Sequence, residues 1–297
     1  MIEKDKLLLF NAIESGSKFW CDELQRLGAA ALIERILADD YLNQRKSAER
    51  IKDRILNSSF DDLQQQISSC GARFITSESS EWPTALNDLA APPIGLIVKG
   101  NEIEGDAVAI VGTRNPTIYG AKVASDFAAG FVDRDWRVVS GGAYGIDTHA
   151  HRGALAAEGK TFAVLASGIS INYPAGNERL FAEICETGAL ISEVMPNEKA
   201  RQDRFLTRNR IIAALTQGTI VVEAAFRSGS LRTARDAAEL MRTVMAVPGP
   251  ISSPTSDGCH RLIGERCAEI VTSVSDALEL LMPLAPRITS TLSVDVT

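Results

Sequence analysis

The feature that most constrains this chain is a rhythm that starts near Ala107. Short unbroken runs of Val, Ile and Ala alternate with amphipathic stretches of about ten to fifteen residues, with glycine-bearing loops between them. AVAIVG, WRVVS, TFAVLA, ALISE, TIVVEA and VMAV read as strands, and the first two lead into the helical YGAKVASDFAAGFVDR and THAHRGALAAEG. A strand that is apolar on every residue has to be covered on both faces, which intervening helices do for a parallel sheet. The expected class is therefore α/β, a Rossmann-like doubly wound parallel sheet.

What flanks this core differs in kind. Residues 1–72 read as a small all-helical N-terminal domain, because CDELQRLGAAALIERIL and RIKDRILNSSFDDLQQQI repeat apolar residues every three or four positions and no proline interrupts them. The stretch ARFITSESSEWPTALNDLAAPPIGLIVKGN reads as a link, since Pro83, Pro92 and Pro93 restrict long helices. The main domain is expected over 73–284, closing on a helix in SVSDALELLM with Ser275 as its N-cap, and 285–297 is expected to be a flexible tail. No apolar run approaches the ~18 residues of a membrane span, and the N-terminus lacks a signal-peptide cleavage site. The five cysteines form no C-x-x-C and read as reduced thiols, mostly in the core. A cytoplasmic protein with no membrane partner is expected. His149 and His151 form an H-x-H, but residues two apart on a helix point about 200° from each other, so no metal is expected.

Three glycine loops, GTRNPTIYG, SGGAYGID and RSGSLRTA, fall where strand carboxyl ends meet helix N-termini, the ligand side of such a sheet. Singly, each is equally a tight turn. Together, with hydroxyls on Thr113, Ser140, Ser228 and Ser230 and the guanidinium of Arg114, they favour an anionic ligand. There is no G-x-G-x-x-G, no G-x-x-x-x-G-K-[ST] and no G-x-S-x-G elbow with a suitable histidine. No nicotinamide or other cofactor and no catalytic residue is therefore assigned.

A net charge of −7 argues on average against nucleic acid. From Lys199 to Arg242, however, nine Lys and Arg face four Asp and Glu, a local +5 that leaves the rest of the chain at −12. Within this window RQDRFLTRNRIIAAL reads as a loop entering a helix, with Arg208, Asn209 and Arg210 directly before the apolar IIAAL. Its arginines and Phe205 are the cation-plus-aromatic set that holds single strands.

The runs AIVGTRNPTIYG, SGGAYGIDTHAHRGALAAEGKTFAVLASGISINYPAGNERL, ISEVMP, FLTRNRIIAALTQGTIVVEAAFRSGSLRTA and MAVPGPISSPTSDGCHRLI closely resemble the DNA-processing protein A (DprA/Smf) family, from about Trp82 to Ala277. The helical N-terminus resembles the sterile-alpha-motif-like domain of many members. The resemblance implies an extended Rossmann fold that binds single-stranded DNA without cutting it, forms a homodimer, shields incoming strands and loads the RecA recombinase during natural transformation. It places DNA contacts on Gly112, Thr113 and Arg114, on Gly141, Gly142 and Gly145, on Phe205, Arg208, Asn209 and Arg210, and on Ser228, Gly229 and Ser230. Tyr144 stands where the family commonly has arginine, exchanging a charge for a stacking surface. Arg232 replaces an aliphatic residue and returns a cation to the rim, and Leu206 replaces a proline, which should loosen that turn. The short tail after Met282 is not expected to supply the winged helix of many members. The competing reading is a nucleotide sensor or a nucleoside-monophosphate hydrolase using the same pocket. In the corresponding motif of such hydrolases a catalytic acid stands near the position of Arg235, and Glu223 is expected to be paired structurally.

Overall fold

The computed structural model describes residues 2–282, so the expectations for the tail and for a winged helix fall outside the described residues. The chain opens with helices α1 (Ile2–Ala12), α2 (Lys18–Leu27), α3 (Ala29–Leu37), α4 (Arg45–Leu56) and α5 (Phe60–Ser69). Strands β1 (Ala72–Ile75) and β2 (Leu96–Gly100) come next, followed by β3 (Ala107–Val111), α6 (Ile118–Val132), β4 (Arg137–Ser140), α7 (Ile146–Ala156), β5 (Thr161–Leu165), α8 (Glu178–Thr187) and β6 (Ala189–Ser192). The remainder comprises α9 (Gln202–Ala214), β7 (Gly218–Val221), α10 (Ser230–Glu239), β8 (Thr243–Ala246), α11 (Asp257–Gly264), β9 (Glu269–Ile270) and α12 (Val274–Leu281). No helix among the described residues is long and apolar enough to cross a membrane.

The nine strands form one sheet in the order β1-β2-β6-β5-β4-β3-β7-β8-β9, parallel from β6 through β9. Alternating side chains of β3 show why both faces are covered. Ala107, Ala109 and Val111 pack with Ile211–Ala214 of α9 and with Leu231 and Ala234 of α10, while Val108 and Ile110 meet Phe127 and Phe131 of α6 and Ala150 of α7.

The stretch read as a link does more than connect. It carries β1 and β2, which pair antiparallel with each other and, through β2, with β6. The prolines sit between these short strands, where no ladder hydrogen bond is required of them. Leu7 and Phe10 of α1 and Leu63 and Ile67 of α5 share an apolar cluster with Ile97, Leu165 and Leu190 of the sheet, whereas Leu9 and Ala12 of α1 pack with α2–α4.

Two local expectations are corrected. RQDRFLTRNR is not a loop: all but its first residue belong to α9, so Arg208, Asn209 and Arg210 are in mid-helix and Leu206 loosens no turn. The side chains of a helix diverge by about 100° per residue, and this separates three neighbours expected to act together. The N-cap of α12 is Ser273 rather than Ser275; its hydroxyl accepts from Asp276 N at 3.1 Å and the Asp276 carboxylate accepts from Ser273 N at 3.0 Å. Of the five free cysteines, Cys21 and Cys259 are buried, Cys70 and Cys185 half-buried and Cys267 exposed, so the core holds fewer of them than expected.

Candidate functional site

In the parallel part of the sheet the chain runs outward from β3 in both directions, to β4, β5 and β6 on one side and to β7, β8 and β9 on the other. Loops after β3 and β7 therefore diverge, leaving the crevice in which such sheets bind ligands. A cavity of about 210 Å³ lies there. Gly112 and Arg114 line it from the loop after β3, Ala143 and Asp147 from the β4–α7 junction, Phe205, Leu206, Arg208 and Asn209 from α9, and Ser228, Gly229, Ser230 and Thr233 from the entry to α10.

At the mouth, the exposed Arg114 guanidinium lies 4.9 Å from the centroid of the Phe205 ring, and Tyr173, arriving from the loop after β5, lies 5.5 Å from the same ring. A cation stacked on one aromatic beside another offers flat, charged surface to a base and its phosphate. Across the cavity, the Ser228 and Ser230 hydroxyls hydrogen-bond each other at 2.8 Å, and Asn209 Nδ2 donates to Gly229 O at 3.3 Å. The first turn of α10 thus brings hydroxyls and backbone N–H groups to an anion-favouring helix end.

The floor is built from buried charge. Arg208 Nη1 donates to Gly141 O at 2.6 Å and to Val164 O, and Nε donates to Asn209 Oδ1 at 3.3 Å. Asp147 Oδ2 accepts from Gly141 N at 3.1 Å and Ala143 N at 3.3 Å. Burial pushes the Arg208 guanidinium down to about 10, with Asp147 opposing the shift and the charge of Arg114 adding to it. Burial likewise raises the Asp147 carboxyl, against Arg208 and the loop N–H groups that favour its charged form. Both side chains thus hold the SGGAYG loop. The only carboxylate on the cavity wall is engaged internally, which leaves the site a cation, aromatic faces and hydrogen-bond donors.

The glycines divide by what a side chain would meet. A Cβ at Gly112 would fall 2.6 Å from Ile146 Cγ1, at Gly141 2.6 Å from Arg208 Cζ, and at Gly142 (φ +66°) 2.7 Å from Phe181. At Gly145 (φ +84°) it would fall 2.7 Å from the Arg114 carbonyl carbon. These four let the protein's own loops close on one another. Gly229 alone of the site glycines would place a Cβ in open space, with nothing within 4 Å.

Several residues expected at the site are elsewhere. Arg210 points away, pairing with Glu193 and donating to Ala91 O at 2.7 Å. Arg232 pairs with Asp236 at 2.6 Å, outside the cavity wall. The Tyr144 ring is exposed, but it stands beside the cavity rather than in its wall, with Oη accepting from Gly176 N at 3.2 Å. Thr113 is likewise absent from the wall. Its N–H donates to Glu223 O at 2.7 Å and its carbonyl accepts from Ile146 N at 3.1 Å.

The local +5 also shrinks. Arg201 pairs with Glu14 and Asp203, Arg204 with Glu198, and Arg242 with Asp88. With Arg210 and Arg232 also paired and Arg208 buried, Lys199, Arg227 and Arg235 are the window's cations without an ion pair among the described residues. Charge counting missed this because Glu14, Asp88, Glu193 and Glu198 lie outside the window. Glu223 is paired as expected, accepting from Thr117 N at 2.9 Å, Thr117 Oγ1 at 2.6 Å and Thr255 Oγ1 at 3.2 Å. Asp147 and Asn177 also hold the site, although neither is among the residues expected there. Asn177 Nδ2 donates to Gly142 O at 3.0 Å and to Thr148 Oγ1 at 2.8 Å. Asp147 had a legible signal, an acid in the first helical turn after a glycine loop; Asn177 had none, since it comes from a different segment.

The model of the DNA recombination-mediator protein A family matches residues 73–282. A Mycobacterium tuberculosis sequence bearing the name DprA is 43% identical over 268 residues, 85% of this chain and 67% of that one. The X-ray structure of DNA processing protein A from Streptococcus pneumoniae superposes with a TM-score of 0.80 at 32% identity, covering 94% of this chain and 96% of that one. The DNA processing protein A of Helicobacter pylori, whose structure is described for its single-stranded DNA binding mode, gives 0.64 at 28% identity over 70% of this chain and 95% of that one.

Proposed function

The chain belongs to the DNA recombination-mediator protein A family, and from that premise we propose that it binds single-stranded DNA in the switch-point cavity, without cutting it. The observation that carries this is Arg114 stacked 4.9 Å from Phe205 at the cavity mouth, opposite the hydroxyl-bearing entry to α10. Backbone and hydroxyl donors with Arg114 hold a phosphate, and Phe205 with Tyr173 stacks a base. Such contacts read no sequence and are specific to unpaired strands, whose bases are free to leave the helix. At about 210 Å³ the cavity is smaller than the ~300–1,000 Å³ of enclosed small-molecule sites. It therefore suits part of a strand passing across it better than a free nucleotide, which disfavours the sensor and hydrolase readings. In the same reading two copies of the chain act together in the cytoplasm, shielding incoming strands and loading RecA during natural transformation.

Fluorescence anisotropy with labelled oligo-dT and a matched duplex tests the proposal. Single strands are expected to bind more tightly than duplex, AMP not to compete at micromolar concentration, and Arg114→Ala to weaken oligo-dT binding about ten-fold, as for loss of one charge-assisted contact. Equal affinity for the duplex, or no effect of Arg114→Ala, would overturn the reading. Sedimentation of the chain and co-purification with RecA on single strands test the remaining part.

A further inference from the structure

A second Arg-over-Phe pair sits on the same sheet edge, outside the cavity. Phe226, in the loop after β7, is 52% exposed, and the Arg261 guanidinium of α11 lies 4.6 Å from its ring centroid. Arg261 also pairs with Glu265 at its Nε. The geometry is close to that of Arg114 on Phe205 at 4.9 Å.

The pair is held in place. Gly258 N donates to Ala224 O at 2.7 Å, and a Cβ on Gly258 would fall 2.7 Å from that same oxygen, so the start of α11 is pressed against the loop that carries Phe226. The turn closed by Ser228 N on Ala225 O at 3.0 Å then joins Phe226 directly to the Ser228–Ser230 wall of the cavity. Arg227, exposed and without an ion pair among the described residues, adds a cation at this point.

We infer that Phe226 and Arg261 form a second stacking platform, over which a single strand continues after leaving the cavity. Its path then runs across the sheet edge from Tyr173 and Phe205, past Arg114 and Gly229, to Phe226. This covers the loops of β5, β4, β3 and β7, about 14 Å at the usual strand spacing. The inference rests on the single-strand reading of the cavity and extends it: the ligand is a strand of several nucleotides, and its affinity grows with length in two stages.

The test is anisotropy with a graded series of dT oligonucleotides on the whole chain. Phe226→Ala, an exposed change, should leave binding of the shortest oligonucleotides unaltered and weaken that of longer ones about five-fold or more, the effect of losing one stacked base. Phe226→Trp should keep the affinity and add an indole that dT quenches, against Trp20, Trp82 and Trp136, which are buried. If Phe226→Ala binds like the parent at every length and the new indole is not quenched, while Arg114→Ala still loses affinity, the second platform is refuted and the cavity reading stands. If Arg114→Ala binds like the parent at every length, the cavity reading fails and the platform with it.

Discussion

Gly141 and Arg208 are fitted to one another. The guanidinium donates to the Gly141 carbonyl at 2.6 Å and fills the space a Cβ on that glycine would take, with Cζ 2.6 Å from it. A loop that reads as a ligand cradle is thus occupied on its inner side by the protein's own arginine, and the two cavity arginines have different work. Arg208→Ala would leave the Gly141 and Val164 carbonyls unpaired and Asp147 without a nearby cation. It is expected to destabilise the fold by about 3–5 kcal/mol, as for breaking a buried charge arrangement. Arg114→Ala, at an exposed position, should change stability by less than about 0.5 kcal/mol while losing oligonucleotide affinity. Urea unfolding beside anisotropy separates the two.

Glycine substitutions should divide along the same line. Gly145→Ala forces a Cβ onto a φ of +84° against the Arg114 backbone and should cost at least 1–3 kcal/mol, the order of such backbone strain. Gly229→Ala meets nothing in the free protein and should unfold like the parent. Its methyl group faces the space a strand would occupy, so oligo-dT affinity should fall. An unchanged affinity would mean that the strand does not approach this backbone closely.

Salt dependence reads the number of free cations. If all nine positive residues of the 199–242 window faced DNA, the slope of log K against log salt would be about −6, at roughly 0.7 per neutralised phosphate. With Arg114 on the cavity wall and Arg227 next to its wall residue Ser228, both exposed and without an ion pair among the described residues, about −1.4 is expected. Arg210→Ala should leave that slope unaltered while lowering stability, because Arg210 is the ion-pair partner of Glu193, whose side chain is only 10% exposed.

His151 provides a pH signature. Thr161 Oγ1 donates its one hydrogen to Val138 O at 2.8 Å, so His151 Nδ1, 2.7 Å from that oxygen, must carry the ring proton. Nε2 is buried without a partner among the described residues, and burial, with the Arg208 charge adding, pushes the imidazole down to about 3. In the unfolded chain it protonates near its ordinary value of about 6.5. The unfolded state therefore binds the extra proton between these values, so stability is complete above about pH 6.5 and erodes as pH falls toward 3. Between pH 7.5 and 5 this contributes a loss of about 2 kcal/mol. Urea unfolding of His151→Gln, which keeps a donor but does not titrate, should lack that component.

The parallel core was legible because each of its strands is apolar on both faces, so a run such as AVAIV needs no partner to be recognised. β1 and β2 were not, since ARFI has no unbroken apolar run and its partner LIVKG lies some twenty residues on, beyond three prolines. α9 is hard to see in the sequence for a related reason: Arg204 and Arg208 look exposed there, yet both are buried.

The order of strands, glycine loops and helices, and hence the sheet edge at which a ligand would be met, is written in the chain itself. These are properties of local periodicity and of residues that permit a close turn. Which side chains reach that edge depends on how distant segments pack together. Arg114 is free because, among the described residues, no carboxylate is folded against it. Arg210 and Arg232, equally cationic in the sequence, are ion-paired, Arg210 with an acid seventeen positions away and Arg232 with one a helical turn on. Charge is a local property of the chain, whereas its availability depends on what packs beside it.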